Sequence, residues 1–312
     1  MFRLAQYRSA KILLIIGLAA TALRLLLDSS YATSALVYVA VPTLIAFALI
    51  VFVKPYDGHS EHRKFLFFMF DSLVIMLATS ALLMEGFICV IMFMPIYFGI
   101  CLIAYLFKLV TGEFRHDDDD NLAERFKVHA WLVLPLMLSI EGVLPETSFE
   151  RSNVIVRSQI IDADVPEIID HLNQPMDYSG DRGWMIAVFP QPVRSENPGL
   201  YAGAIHRLHF VYNRWFFGNT KRGEMHVRIG EVSKERIRTS IVRNDSYLAG
   251  YLNIQGTQLD FHPLSNGSTQ VLLTIRYERT LDPYWYFHPM QQIALEQSAD
   301  YLLEQIVDPG GQ

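Results

Sequence analysis

Cysteine is nearly missing from this chain, with two in 312 residues. Cys89 and Cys101 share one apolar run, and twelve residues of helix separate them by about 18 Å, too far to bridge. The C-terminal half has none, which fits either redox compartment. Charge is also scarce. Charged residues make up 19% of the chain, against about 25% in an ordinary soluble domain, so disorder and a charged tail are excluded. A net charge of −6 leaves no basic footprint for nucleic acid. The G-x-S-x-G elbow of a serine nucleophile, the HExxH pair of a zinc hydrolase and the spacing of a calcium loop are all missing. So is the repeated pattern of broken helices that marks coupled transporters.

What is abundant is apolar surface, 51% of residues, unevenly spread. Up to Thr147 it comes in long runs. From Ser148 onward it alternates with polar residues. A bilayer span needs about 20 apolar residues, and five runs approach this: 12–27, 35–53, 65–84, 87–110 and the short 130–144, which carries Pro135 and Glu141. The third and fourth are joined only by Glu85-Gly86, so they form an antiparallel hairpin. Ala20-Thr21-Ala22 also offers a signal-peptide cleavage pattern, but Arg24 and three more leucines follow it directly.

Lys and Arg set orientation. Arg3, Arg8 and Lys11 precede the first run, Lys54, Arg63 and Lys64 lie between the second and third, and Lys108, Arg115, Arg125 and Lys127 between the fourth and fifth. These segments belong on the cytoplasmic side. The N-terminus is then cytoplasmic, and five spans would put the C-terminal half outside the cytoplasm, in the periplasm if the cell is bacterial, whereas a fifth run lying only in the interface would keep that half in the cytoplasm. Asp71 and Glu141 are ionisable positions inside apolar runs, with Arg24 a conceivable partner. Asp117–Asp120 reads as a solvated loop with Asp120 capping a short helix, rather than as a cation site.

Beyond Ser148 the period changes. Val154, Val156, Ile160 and Ile161 read as a strand with one slip. Asp164 caps a helix opened by Pro166 and Glu167. Further strands are expected at 184–189, 202–212, 225–232, 236–243 and 252–262. The clearest is 270–281, where Val271, Leu273, Ile275 and Tyr277 alternate with Thr274, Arg276 and Glu278. Asn266-Gly267 before it is a hairpin signal. Pro289 is expected to open a last helix reaching about Ile306, with Met290, Ile293, Ala294, Gln297, Tyr301 and Leu302 as its apolar stripe.

Strand, short helix, antiparallel strands and a long final helix resemble the START-like superfamily, also called SRPBCC (polyketide cyclase/dehydrase and lipid transport). The residues that carry the resemblance are Val154–Ile161, Ala163–Ile169, the stretch from Gly250-Tyr251 through Gly256 to Phe261, the Asn266-Gly267 hairpin and the closing strand and helix. It covers about residues 150–308. Many relatives carry an aromatic after the valine of the first helix, where this chain has Ile168-Ile169. The resemblance implies an α+β helix-grip domain at 148–312, a curved antiparallel sheet around a long helix; it does not explain residues 1–147, whose apolar runs read as a multi-pass α-helical membrane region.

It further implies a cavity for a hydrophobic small-molecule ligand such as a lipid, sterol or polyketide. By strand parity the lining is Met225, Val227, Ile229, Ile237, Ile241, Leu259, Phe261, Leu273, Ile275 and Tyr277, with Met290 and Ile293 from the helix. A plain hydrophobic core would use the same residues. His206 and His209 are three apart on a strand and face opposite ways, so no metal site is assigned, nor any cofactor or catalytic residue. His206 or His226 remains conceivable as a general base. Two aromatic–basic clusters suit a membrane surface: Arg214, Trp215, Phe216, Lys221 and Arg222 in one, Trp285 in the other. The expected function is lipid-like ligand binding at the bilayer, for transfer or sensing. Alternatives are a cyclase- or aromatase-like enzyme, and a membrane scaffold with a filled cavity.

Overall fold

The computed structural model describes residues 87–111, 137–174, 176, 178, 184–187, 189–215 and 218–310, with isolated positions between 35 and 77. The chain forms two compact units. One holds Met1–Phe149 with Asp282–Tyr284, and the other holds Glu150–Leu281 with Trp285–Gln312.

In the first unit, α1 spans Phe87–Thr111. It buries Val90, Met92, Ile96, Tyr97, Ile100 and Cys101, and leaves Leu102, Ile103 and Leu106 about half exposed. The Tyr105 ring stacks on Phe65 at 4.3 Å, and its hydroxyl lies 2.8 Å from His62 Nδ1. Among the described residues no helix is long and apolar enough to cross a membrane. The expected runs 12–27 and most of 35–53, Arg24, Asp71, the acidic run Asp117–Asp120 and residues 130–136 lie outside the described residues.

The expected fifth run is not helical where it is described beyond Leu138. Ser139–Val143 is turn, and a single 3-10 turn follows at Pro145–Thr147. Gly142 explains the break, because its φ of +76° is a left-handed conformation and a Cβ there would run into the Asp282 carboxylate. Glu141 is buried, and its Oε1 accepts the Tyr284 backbone N–H at 2.8 Å. The Ser148 hydroxyl donates to the Asp282 carboxylate at 3.3 Å, next to the cis Asp282-Pro283 bond.

The second unit is a seven-stranded antiparallel sheet in the order β1-β7-β6-β5-β4-β3-β2. Its strands are β1 Ser152–Ile161, β2 Gln191–Glu196, β3 Ile205–Trp215, β4 Gly218–Val232, β5 Arg236–Asn244, β6 Leu252–Pro263 and β7 Thr269–Arg279. Between β1 and β2 come α2, Val165–Leu172, and the short α3, Trp184–Ala187. The chain closes with α4, Tyr284–Tyr301, continued by a wider turn at Leu302–Val307. Register shifts at Ile254/Gly256, His226/Val227 and Ile229/Glu231 bend the strands locally. The sheet with its long terminal helix fits the helix-grip fold.

Local chemistry explains most elements. Asp164 accepts the Glu167 N–H at 2.9 Å, capping α2, and Pro166 sits in its first turn. Gly267, at φ +92°, makes the β6–β7 turn, closed by Leu264 N–H to Ser268 O at 2.8 Å. In β7 every second residue is buried, Val271 and Tyr277 completely.

Four expectations need correction. Residues 184–187 are helical, not strand, because Trp-Met-Ile-Ala-Val-Phe is an unbroken apolar run without alternation. The polar β2, with Pro192 inside it, is absent from the expected strands and is tolerated because it lies at the sheet edge. In β1 the ladder to β7 runs without a slip, so Ile155 and Ile161 point inward while Val154, Val156 and Ile160 are more than half exposed. Pro289 lies inside α4 rather than at its start. The buried stripe of α4 is therefore Phe287, Gln291, Leu295 and Ala299, continued by Leu303.

Candidate functional site

The face of the sheet that meets α4 is fixed by β7. Its buried residues join Ile155, Ile161, Leu295, Ala299 and Leu303 in one core cluster. Register carries this face across the sheet. Leu259 and Phe261 lie opposite Leu273 and Val271, and Ile237 opposite Leu259. Ile229 pairs Thr239, Val227 pairs Ile241, and Met225 pairs Leu208. All ten sheet residues expected to line a ligand therefore share the concave face.

They divide into two groups. Ile237, Phe261, Leu273, Ile275 and Tyr277 belong to the core cluster with α4, and Leu259 packs against it. Met225, Val227, Ile229 and Ile241 lie outside that cluster, Met225 and Ile229 buried and Val227 and Ile241 partly so. The helix contribution is out of phase with the expectation. Met290 flanks the buried stripe, and Ile293, 47% exposed, points away from it, because a stripe stepping by four from Phe287 turns position 293 outward.

Polar residues that strand parity did not single out share the concave side. Thr239 and Thr257 hydroxyls lie 2.8 Å apart. Tyr212 stacks on Tyr247 at 4.6 Å, and the Tyr251 hydroxyl donates to the Tyr247 hydroxyl at 2.8 Å. Lys221 Nζ sits 5.2 Å over the Tyr247 ring. Gln291 of α4 donates from Nε2 to the Tyr251 carbonyl at 2.9 Å. The i, i+4 spacing of Tyr247 and Tyr251 around Gly250 was the available signal.

The histidines separate as their spacing requires. His206 is on the concave face with Nε2 3.0 Å from the Gly199 carbonyl. His226 cannot act there: it is on the convex face, with Nε2 3.1 Å from Glu224 Oε2. His209, also convex, lies between Glu196 at 3.2 Å and Glu224 at 3.4 Å. Among the described residues no group of three or more His, Cys, Asp or Glu is placed to hold a metal ion. Of the expected membrane-contact residues, Lys221 and Arg222 are exposed and Trp285 is about half exposed. The side chains of Arg214, Trp215 and Phe216 lie outside the described residues.

The same convex face carries ion pairs that tie strands together. Burial works against ionising Asp260, but Gln258 and Arg236, the latter at 2.5 Å, outweigh it and hold the carboxyl below its usual range. Asp245 is also held low, by the Glu224 backbone N–H at 2.6 Å and then by Arg243 at 2.6 Å. A depressed folded pKa gives stability that is complete above the unfolded value of 3.8 and is lost as pH falls through the folded value. Acid unfolding followed by circular dichroism is expected to stay flat from pH 7 to about 4 and then fall. Asp245→Asn should lower the plateau and make that acid limb shallower.

No family model matches the chain, and no curated relative matches it. Among solved structures it is similar to a START superfamily protein from Mycobacterium smegmatis, with 15% identity and a TM-score of 0.34, over 49% of this chain and 96% of that one. It is similar to a protein from Thermus thermophilus, with 17% identity and a TM-score of 0.31, over 50% and 97%. It is also similar to the Zhui aromatase/cyclase from a Streptomyces species, with 10% identity and a TM-score of 0.35, over 50% and 92%.

Proposed function

We propose that the C-terminal unit binds an apolar, lipid-like small molecule on the concave face of its sheet. In this reading the N-terminal apolar runs hold the chain in a bilayer, with a cytoplasmic N-terminus and the C-terminal unit on the other side. The ligand is transferred or sensed there.

One observation carries the ligand reading. Met225, Val227, Ile229 and Ile241 face inward like the core residues, yet stand apart from the cluster packed with α4. Apolar side chains on an inward face that the helix core does not use are what a ligand needs. Burying about 300 Å² of hydrocarbon there would contribute roughly 7 kcal/mol before the costs of ordering. The bilayer reading is supported by the five apolar runs and the placement of Lys and Arg between them. Exposed Lys221 and Arg222 suit anionic headgroups, and Trp285 suits the interface.

The test is titration of the purified full chain with the fluorescent apolar probe N-phenyl-1-naphthylamine. Saturable binding of one probe per chain, removed by Ile241→Trp, is expected. Unsaturable partitioning alone would defeat the reading.

A further inference from the structure

Gln291 is an amide in an apolar stripe. It lies between Phe287 and Leu295 on the buried side of α4 and is 8% exposed. Its Nε2 donates to the Tyr251 carbonyl at 2.9 Å, which fixes which end of the amide bears the oxygen. Reversing the amide would set two acceptors face to face at that distance. Oε1 is then fully buried, and among the described residues no donor meets it. An orphaned buried acceptor costs about 1–3 kcal/mol, a cost that leucine at this position would not carry.

Several polar groups of the concave side have partners of their own. The Thr239 and Thr257 hydroxyls meet each other, the Tyr251 hydroxyl goes to Tyr247, and the His206 ring meets Gly199. The tyrosine row runs from Tyr251 under Gln291 through Tyr247 to Tyr212 on β3. It thereby joins the helix to β3, where Tyr212 pairs with Lys221 of β4.

Building on the apolar-ligand reading, we infer that the bound molecule is an alcohol, whose hydroxyl donates to Gln291 Oε1 while its hydrocarbon lies along Val227 and Ile241. The amide is a specificity device. It penalises a pure hydrocarbon, which leaves the acceptor orphaned, and accepts the same skeleton carrying one donor.

The experiment is native mass spectrometry of the full chain with 1-hexadecanol and hexadecane as matched probes. The unsubstituted chain is expected to prefer the alcohol by roughly tenfold or more, the ratio that one net hydrogen bond supplies. Gln291→Leu should take both probes equally. Should that variant fail to fold, Gln291→Met, of closer shape, reads the same ratio. Equal binding of the two probes by the unsubstituted chain overturns the inference and leaves the apolar-ligand reading standing. An alcohol preference that survives in either variant overturns the assignment to Gln291. Binding of neither probe removes the apolar-ligand reading and the inference with it.

Discussion

Gly256→Ala is expected to lower the stability of the C-terminal unit by about 3 kcal/mol. The reason is backbone against backbone. Gly256 sits at the register shift of β6, and a Cβ there would run into the Thr239 carbonyl. That carbonyl has little room to move. The direct β5–β6 ladder is only the three pairs Arg236–Asp260, Ile237–Leu259 and Arg238–Gln258. Immediately beyond it the Thr257 backbone N–H donates to Thr239 Oγ1 at 3.1 Å, and the two hydroxyls close the clasp. Pushing Thr239 away opens both. For a unit of this size the loss corresponds to a melting temperature lower by roughly 6–12 °C. Gly250→Ala is the control, since nothing lies within 4 Å of its Cβ position, and it should change stability by less than about 0.5 kcal/mol. Equal melting temperatures for Gly256→Ala and the unsubstituted chain would show that the two strands do not approach in this way.

Ile241→Trp is expected to weaken N-phenyl-1-naphthylamine binding by more than about fiftyfold, a loss of roughly 2.3 kcal/mol, while leaving the fold intact. Ile241 faces inward opposite Val227 and is only partly buried. An indole there has space that a residue of the packed cluster lacks, and it would occupy the volume assigned to the ligand. The same change at Ile275, 3% exposed and inside the cluster, should destabilise the unit through overpacking. The contrast separates a ligand face from a plain core. Were Ile241→Trp to destabilise as much as Ile275→Trp, Ile241 would be core, and the concave face would be filled by the protein's own side chains.

How much of this is legible from sequence depends on the kind of signal. Period-two alternation locates β7 and its inward face residue by residue, since Leu273 to Tyr277 are apolar inside and polar outside. The Asp164 cap and the Gly267 turn are readable because each rests on local backbone chemistry. Where a segment is uniformly apolar, as at 184–189, periodicity cannot separate helix from strand. Where a strand is an edge, as β2 is, it needs no apolar residues at all. The phase of α4 is misread from sequence because Pro289 carries the ordinary signal of a first turn. The helix starts five residues earlier, and the difference moves Ile293 onto the wrong side. Gln291 has no sequence signal, since a glutamine in a helix is ordinarily solvated. Its role comes from the sheet packed against it and from the Tyr251 carbonyl that holds one end of its amide.

Native mass spectrometry of the full chain purified from a lipid-containing host, with extraction and identification of whatever travels with it, tests the central claim most directly. The account predicts one apolar molecule per chain, retained through purification and lost from Ile241→Trp. A bare protein mass that stays unchanged after incubation with total membrane lipids would contradict it.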